Sequence, residues 1–186
     1  MAELLEAIDR RRAYRGLSDR DIDGAAVERI MRAATYAPSC FNKQSWRFLV
    51  ARSGEARAKV VEALSGANYW AKHAPMFVLV VTKPDFDCNL EDRRQYALFD
   101  VGMASMNLQL QAVEEGLIAH PMAGFDDVAL KRAFGIPEDY ILITVITVGH
   151  PGDPDGLNEK HLAAERSERT RKPEHEVISY DEWKFD

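Results

Sequence analysis

The sequence predicts a mixed α and β fold, and three patterns carry that prediction. Apolar residues recur at helical spacing through "DIDGAAVERIMRAATYA", two uninterrupted apolar runs, "MFVLVV" and "ILITVITVG", have strand length, and residues 92–115 form one long amphipathic stretch between those runs. With 186 residues, 46% of them hydrophobic, the chain suits a single domain over 1–186 built on one core.

In chain order, Met1, Leu4, Leu5 and Ile8 form one stripe of a short helix that should end near the arginines. Asp21 or Asp23 can cap a second helix that buries Ile22, Ala26, Ile30, Met31 and Ala34, and Pro38 stops it because proline disfavours helical geometry in the residue before it. "WRFLVAR" alternates Trp46, Phe48 and Val50 against the other face and reads as a strand. A third helix is expected around 54–65. Residues 76–81 then form a strand buried on both faces. In the long helix of 92–115, Ala97, Val101, Ala104, Leu108 and Ala112 share one side, and the small Gly102, Ala104 and Ser105 should permit close approach. "FGIPEDY" is a turn set by glycine and proline ahead of the last strand, 141–149.

Beyond His150 the character changes. "PGDPDG" breaks structure, "EKHLAAERSERTRKPEHE" is nearly all charged, and "VISYDEWKF" ends the chain with three aromatics. A solvated tail is one reading. Burial of the aromatics against a second copy of the chain is the other, because exposed apolar patches mark interaction surfaces.

Charge and cysteine content exclude several classes. The 24 basic and 30 acidic residues leave a net charge of −6, so there is no global footprint for nucleic acid and any cationic site is local. The N-terminal residues have acids among the leucines, unlike a signal peptide or a membrane span. Cys40 and Cys88 match no C-x-x-C or zinc spacing, so they are expected to remain free thiols in a reducing cytoplasm. The five histidines have no ligand spacing, and no metal is expected. Neither G-x-G-x-x-G after a strand nor a G-x-x-x-x-G-K-[ST] loop is present.

Three stretches can carry chemistry. "RRRAYR" puts Arg10, Arg11, Arg12 and Arg15 together, either as cations complementing a helix C-terminus or as a phosphate clamp, and "ERTRK" offers Arg169, Arg171 and Lys172 far along the chain. The two islands could converge on one dianion. "GLIAHPMAGFDD" (116–127) reads as a punctuated loop, either an ordinary turn or a segment whose main chain faces a flat ligand, since Ala123 and Gly124 let a ring approach. "APSCFNKQSWRF" crowds Asn42, Gln44 and Trp46 between helix and strand.

Taken in order, "RRAYRGL", "APSCFNKQSW", "GLIAHPMAGFD" and "RTRKP" resemble the motifs of the FMN-dependent nitroreductase family, from about Ala7 to Arg171. The resemblance implies an α+β fold with a central, mainly antiparallel sheet flanked by helices. It also implies a homodimer across which the C-terminal segment, 150–186, is exchanged, with FMN at the subunit interface. By position, Arg11, Arg12, Arg169 and Arg171 would serve the FMN phosphate, and Arg15 the ribityl and pyrimidine side. Pro38, Ser39, Cys40 and Asn42 would come from the partner, Asn68 would contact the flavin, and Pro121, Met122, Ala123 and Gly124 would line the ring with a backbone N–H of Ala123 or Gly124 near N5. Ala13 stands where the family often has serine, removing one phosphate contact. Ser45 replaces a proline and Leu17 an aromatic.

The implied activity is transfer of a hydride from NADH or NADPH through the flavin to a small acceptor such as a nitroaromatic or quinone, by ping-pong turnover, with no obligatory catalytic side chain. The family also contains flavin-using dehalogenases, but no long lid insertion of that kind is present. The same motifs would also suit a dehydrogenase acting on a dedicated substrate, or a non-catalytic FMN carrier.

Overall fold

The computed structural model describes residues 4–88, 90–92 and 94–185. Its first helix, α1 (Glu6–Arg10), ends at the arginines as the sequence implies. It begins later than its apolar stripe, however. Leu4, Leu5 and Ile8 are exposed, and Met1 lies outside the described residues. In α2 (Gly24–Thr35) the choice of cap is settled: the Asp23 carboxylate accepts from the Ala26 amide at 3.3 Å, satisfying a donor the helix itself cannot pair. Ile22, Ala26, Val27, Ile30 and Ala34 are buried, and the helix is finished by Tyr36, ahead of Pro38.

Four strands make one antiparallel sheet in the order β1 (Arg47–Ala51), β2 (Met76–Thr82), β4 (Ile141–Gly149), β3 (Ile118–Met122). Every residue of β2 is buried, as its unbroken apolar run requires. The sheet alternation divides the core in two. Trp46, Phe48, Val50, Val78 and Val80 face α2 and the long helix α4 (Tyr96–Glu114), whose Ala97, Val101, Ala104, Leu108 and Ala112 are all buried. On the other face Ala51, Phe77, Leu79 and Val145 pack with Val60 of α3 (Gly54–Ala63), with Trp70 and with Leu130 of α5 (Asp127–Phe134). Ser53 caps α3, and Gly135 at φ 66° ends α5 in the left-handed geometry that glycine accepts without penalty. The last helix, α6 (Glu159–Arg166), lies in the charged run and buries no residue.

Three expectations are corrected. Residues 118–122 are a strand, not a loop: Pro121 is tolerated because β3 is an edge, where a missing N–H leaves no ladder bond unmade. Gly102 is exposed and meets nothing within 4 Å of where a Cβ would stand, so it gives no close approach inside this chain. Most consequentially, Cys40 and Cys88 are paired as a disulfide, with Cα atoms 6.0 Å apart. Spacing along the chain hides this, but strand register reveals it. Arg47 and Val81 are Cα partners, and Cys40 and Cys88 lie equally far beyond them on the two antiparallel neighbours. Cysteine usage therefore no longer argues for a reducing compartment.

No helix of the described residues is long and apolar enough to cross a membrane. No cluster of three or more His, Cys, Asp or Glu among them is placed to hold a metal ion.

Candidate functional site

The two arginine islands converge. The segment after α1 is drawn against the chain beyond α6 by Arg169, which donates through Nη2 to the carbonyls of Asp9 and, at 2.8 Å, of Arg11. Arg12 returns the contact by donating to the Ser167 carbonyl at 2.9 Å. Burial and then the proximity of Arg169, Arg171 and Arg12 lower the pKa of Arg11, which records four guanidinium groups collected in one place. Like charges at such spacing repel, and the nearest acid, Asp9, reaches Arg169 only at 3.8 Å. Arg169 Nε is buried and has no hydrogen-bond partner among the described residues, a donor left for an anion to satisfy. Among the described residues Arg171 donates only to its neighbour Thr170, and it is exposed. Ala13 is exposed and brings no hydroxyl to the cluster.

Arg15 is aimed separately. Its amide and that of Gly16 donate to the Glu165 carboxylate at 2.9–3.0 Å, tying α6 to this turn. Its guanidinium lies 5.9 Å from the centre of the Trp70 ring. Trp70 in turn packs on His120, ring centres 4.6 Å apart. His120 Nδ1–H donates to the Tyr14 carbonyl at 3.0 Å, and burial, with Arg15 and Arg11 nearby, lowers its pKa to about 4. The imidazole is therefore neutral at pH 7 with its proton on Nδ1. Trp70 Nε1 is buried and unpartnered among the described residues. Alongside, Tyr69 stacks on His161 of α6 at 5.5 Å.

The third component is the end of β3. Asn68 Nδ2 and the Ser65 amide both donate to the Gly124 carbonyl at 2.9 Å, which pins residues 123–125 to the 66–73 turn. Gly124 leaves room there, since a Cβ would stand 3.1 Å from Asn68 Nδ2 and closer still to Ser65, whose side chains would have to move. Pro121 pairs in the edge strand, Met122 turns its side chain into the core, and Ala123 is exposed. This segment can therefore offer a ligand mainly backbone.

The stretch 38–44 stands apart from all of these. Its Cys40 amide donates to the Asp100 carboxylate at 3.2 Å, on the first turns of α4, and burial raises the pKa of that acid. A cleft of about 530 Å³ containing Arg12 and Arg169 is lined at the opposite end of α4 by Val113 and Gly116. Thirteen residues at about 1.5 Å each put Asp100 and Val113 about 20 Å apart. Among the described residues of one chain, Pro38, Ser39, Cys40 and Asn42 stand apart from the arginines, and the cleft that holds Arg12 and Arg169 contains none of the four.

Sequence reasoning overlooks Trp70, His120 and Glu165. His120 lies inside the glycine- and proline-punctuated stretch 116–127, but Glu165 is indistinguishable from its charged neighbours.

Compared with known proteins, the model of the nitroreductase family matches residues 8–69 and 65–150. A Methanothermobacter thermautotrophicus protein named for NADH dehydrogenase/NAD(P)H nitroreductase activity is 30% identical over 162 residues, covering 84% of this chain and 82% of that protein. The oxygen-insensitive NAD(P)H nitroreductase of Salmonella typhimurium is 27% identical over 186 residues, covering 75% and 85%. A solved oxidoreductase containing FMN has a TM-score of 0.89 over all of this chain and 95% of that one, at 23% identity, a likeness of fold.

Proposed function

The chain belongs to the nitroreductase family, and from that premise we propose that it is a homodimeric FMN-dependent oxidoreductase that uses NADH or NADPH to reduce a small acceptor. The observation that carries this reading is the gathering of Arg11, Arg12, Arg169 and Arg171 without enough acid to neutralise them, together with the unpartnered Arg169 Nε. That donor set fits a phosphate dianion, which takes paired, charge-assisted hydrogen bonds from guanidinium groups.

Arg15, fixed by Trp70 and by the Glu165 clasp, would hold the polar edge of the cofactor. Asn68 would lie beside the ring, its Nδ2 committed to Gly124 and its Oδ1 left to accept. Residues 121–124 would approach the ring by main chain, with an N–H of Ala123 or Gly124 near N5. When bound, FMN supplies the two-electron chemistry, taking a hydride equivalent from the nicotinamide and passing it to an acceptor such as a nitroaromatic or quinone. The positive cluster favours an anionic cofactor, and the neutral His120 keeps a further cation from crowding Arg15.

Two observations support the dimer. Leu98, Phe99 and Met106 form an exposed apolar stripe on α4, and Val177, Ile178, Tyr180 and Trp183 leave the C-terminal segment equally uncovered. Contacts across two copies would bury both, would let residues 150–186 of this single domain reach the neighbour, and would bring Pro38, Ser39, Cys40 and Asn42 of the partner subunit to the site that 38–44 cannot reach in its own chain. Both substrates would use one slot in turn, which is ping-pong turnover.

The test is the visible spectrum of the purified protein, followed without oxygen as NADH and then NADPH are added. A flavin spectrum that bleaches supports the reading and identifies the donor. No flavin even after adding FMN would sink it.

A further inference from the structure

We propose that the Cys40–Cys88 pair is a redox clasp on the loop 38–44, such that its reduction speeds release of FMN. The proposal rests on the reading above, in which this loop closes over the partner's cofactor.

Strand register makes the pair a built feature. Cys40, in the short helical turn Cys40–Asn42, and Cys88, in the connection after β2, each lie seven residues beyond the paired ends Arg47 and Val81, and a Cα separation of 6.0 Å lies in the range that a disulfide spans. The pair joins two segments that need a join. Residues 38–44 hold three non-glycine residues in the left-handed region, Phe41 (φ 49°), Asn42 (φ 55°) and Gln44 (φ 49°), a conformation that persists only where its surroundings impose it. The loop's own bonds are few and lie near the surface. The Gln44 amide donates to Ser39 Oγ at 3.0 Å, Gln44 Nε2 to Asn42 Oδ1 at 3.3 Å, and the Lys43 amide to the Cys40 carbonyl at 3.0 Å. It is held to the body by the Cys40 amide on Asp100 and, at its far end, by Arg47 of β1 donating to the Gln44 carbonyl at 3.1 Å. Across the gap, Cys88 lies in the connection from β2 to α4, and no hydrogen bond among the described residues joins 38–44 to that connection. Among the described residues the disulfide is thus the link between this loop and the β2–α4 connection.

The surroundings decide which reductant suits it. Both cysteine amides donate to carboxylates, Cys40 to Asp100 and Cys88 to Asp87 at 2.6 Å. Negative charge repels an approaching thiolate, so a monothiol such as glutathione, which must make two such approaches, opens the pair slowly. A dithiol is better suited. Its first thiolate attacks one sulfur and displaces the other cysteine, which takes up a proton. Its second thiol then displaces the remaining cysteine, closing a cyclic disulfide. Two electrons and two protons pass to the protein and the dithiol is oxidised.

The test uses the full chain loaded with FMN and dithiothreitol as the dithiol. After incubation with oxidised glutathione, thiol titration in guanidinium should find no free cysteine and mass spectrometry no bound glutathione; dithiothreitol should then liberate two thiols. FMN release after dilution, followed by fluorescence, should be about tenfold faster in the reduced protein, because a preorganised loop loses less entropy on closing. Cys88→Ser should match the reduced protein under either treatment. Two free or glutathione-bearing cysteines after oxidation would overturn the pairing, and equal release rates in both states would overturn the clasp while leaving the flavin reading intact. Absence of bound FMN in both states, with the pair still formed, would overturn the flavin reading and the clasp's function with it.

Discussion

Arg169 donates through Nη2 to the main-chain carbonyl of Arg11 at 2.8 Å, so one cation of the C-terminal island serves as the brace for the N-terminal one. The same guanidinium also reaches the carbonyls of Ile8 and Asp9, leaving Nε for a ligand. A lysine carries all its donors on one nitrogen, so it cannot brace these carbonyls and also keep a separate N–H for a ligand. Arg169→Lys and Arg169→Ala should therefore lower both the melting temperature and FMN affinity, the latter by about 10- to 100-fold if a contact of about 1.5–3 kcal/mol is lost. Thermal unfolding and fluorescence titration check this; an unchanged Kd would refute the role.

Arg171 separates binding from folding. It is exposed and, among the described residues, donates to nothing beyond Thr170. Arg171→Ala should weaken FMN by a similar factor while leaving the melting temperature of the flavin-free protein in place. If the variant titrates with FMN as the parent does, the C-terminal island has been assigned wrongly.

His120 predicts a pH dependence. Its folded pKa of about 4 lies below the ordinary value of 6.5, because the charged form is penalised by burial and by Arg15 and Arg11. Above pH 6.5 neither state binds the proton and His120 is neutral to stability. Between 6.5 and 4 the unfolded chain binds it and the folded chain does not, so stability falls as pH falls, by on the order of 3 kcal/mol in all, and below pH 4 the slope vanishes. His120→Gln should flatten that window in denaturant titrations at pH 7, 6 and 5. Proton NMR should show the His120 ring untitrated at pH 5, and a midpoint near 6.5 would contradict the buried, Nδ1-protonated state.

Asn68 and Gly124 form one device, and two variants probe its halves. Asn68→Ala removes the 2.9 Å bond to Gly124 and leaves that carbonyl with the Ser65 amide alone. The cost should be about 1 kcal/mol in stability. Gly124→Ala instead forces a Cβ toward Ser65 and Asn68, which must give way, so the segment at the end of β3 shifts. Bound flavin should report the difference: the visible band moves in Gly124→Ala more than in Asn68→Ala. Identical spectra in both variants and the parent would place the flavin elsewhere.

Features fixed by local periodicity are legible in the sequence, and features fixed by tertiary register are not. The buried strand β2 and the inner face of α4 can be read because each apolar residue faces the same way in every reasonable packing. The residues of β3 read as a loop because Pro121 argues against a strand unless one knows that the strand is an edge. Cys40 and Cys88, 48 residues apart, meet only because β1 and β2 pair in one particular register. Glu165 looks like any other acid in a charged run, and only its fold position makes it an acceptor for two adjacent amides. Conversely, the arginine islands are legible as chemistry before their convergence is visible, since an acidic chain has little other reason to cluster cations twice.

The outer face of α4 tests the proposed dimer and its proposed shared site together. Phe99, Gly102 and Met106 lie on one stripe, Phe99 57% and Met106 43% exposed, beside a bare glycine surface suited to close helix approach. Burying each large side chain contributes about 1.5–3 kcal/mol, and a cation placed in the middle of such a contact would have to be desolvated without a partner. Met106→Arg should therefore yield a monomer by light scattering at micromolar concentration, with the helical circular dichroism of the parent, because position 106 points away from the chain's own core. The monomer keeps Arg11, Arg12, Arg15, Arg169 and Arg171 but loses the partner's loop 38–44, so it should also lose its flavin on gel filtration. A variant that stays dimeric would show that α4 is not the contact. A monomer that retains FMN as tightly as the parent would show instead that the loop is not supplied in trans, and that the roughly 20 Å between Asp100 and Val113 is bridged by some other route.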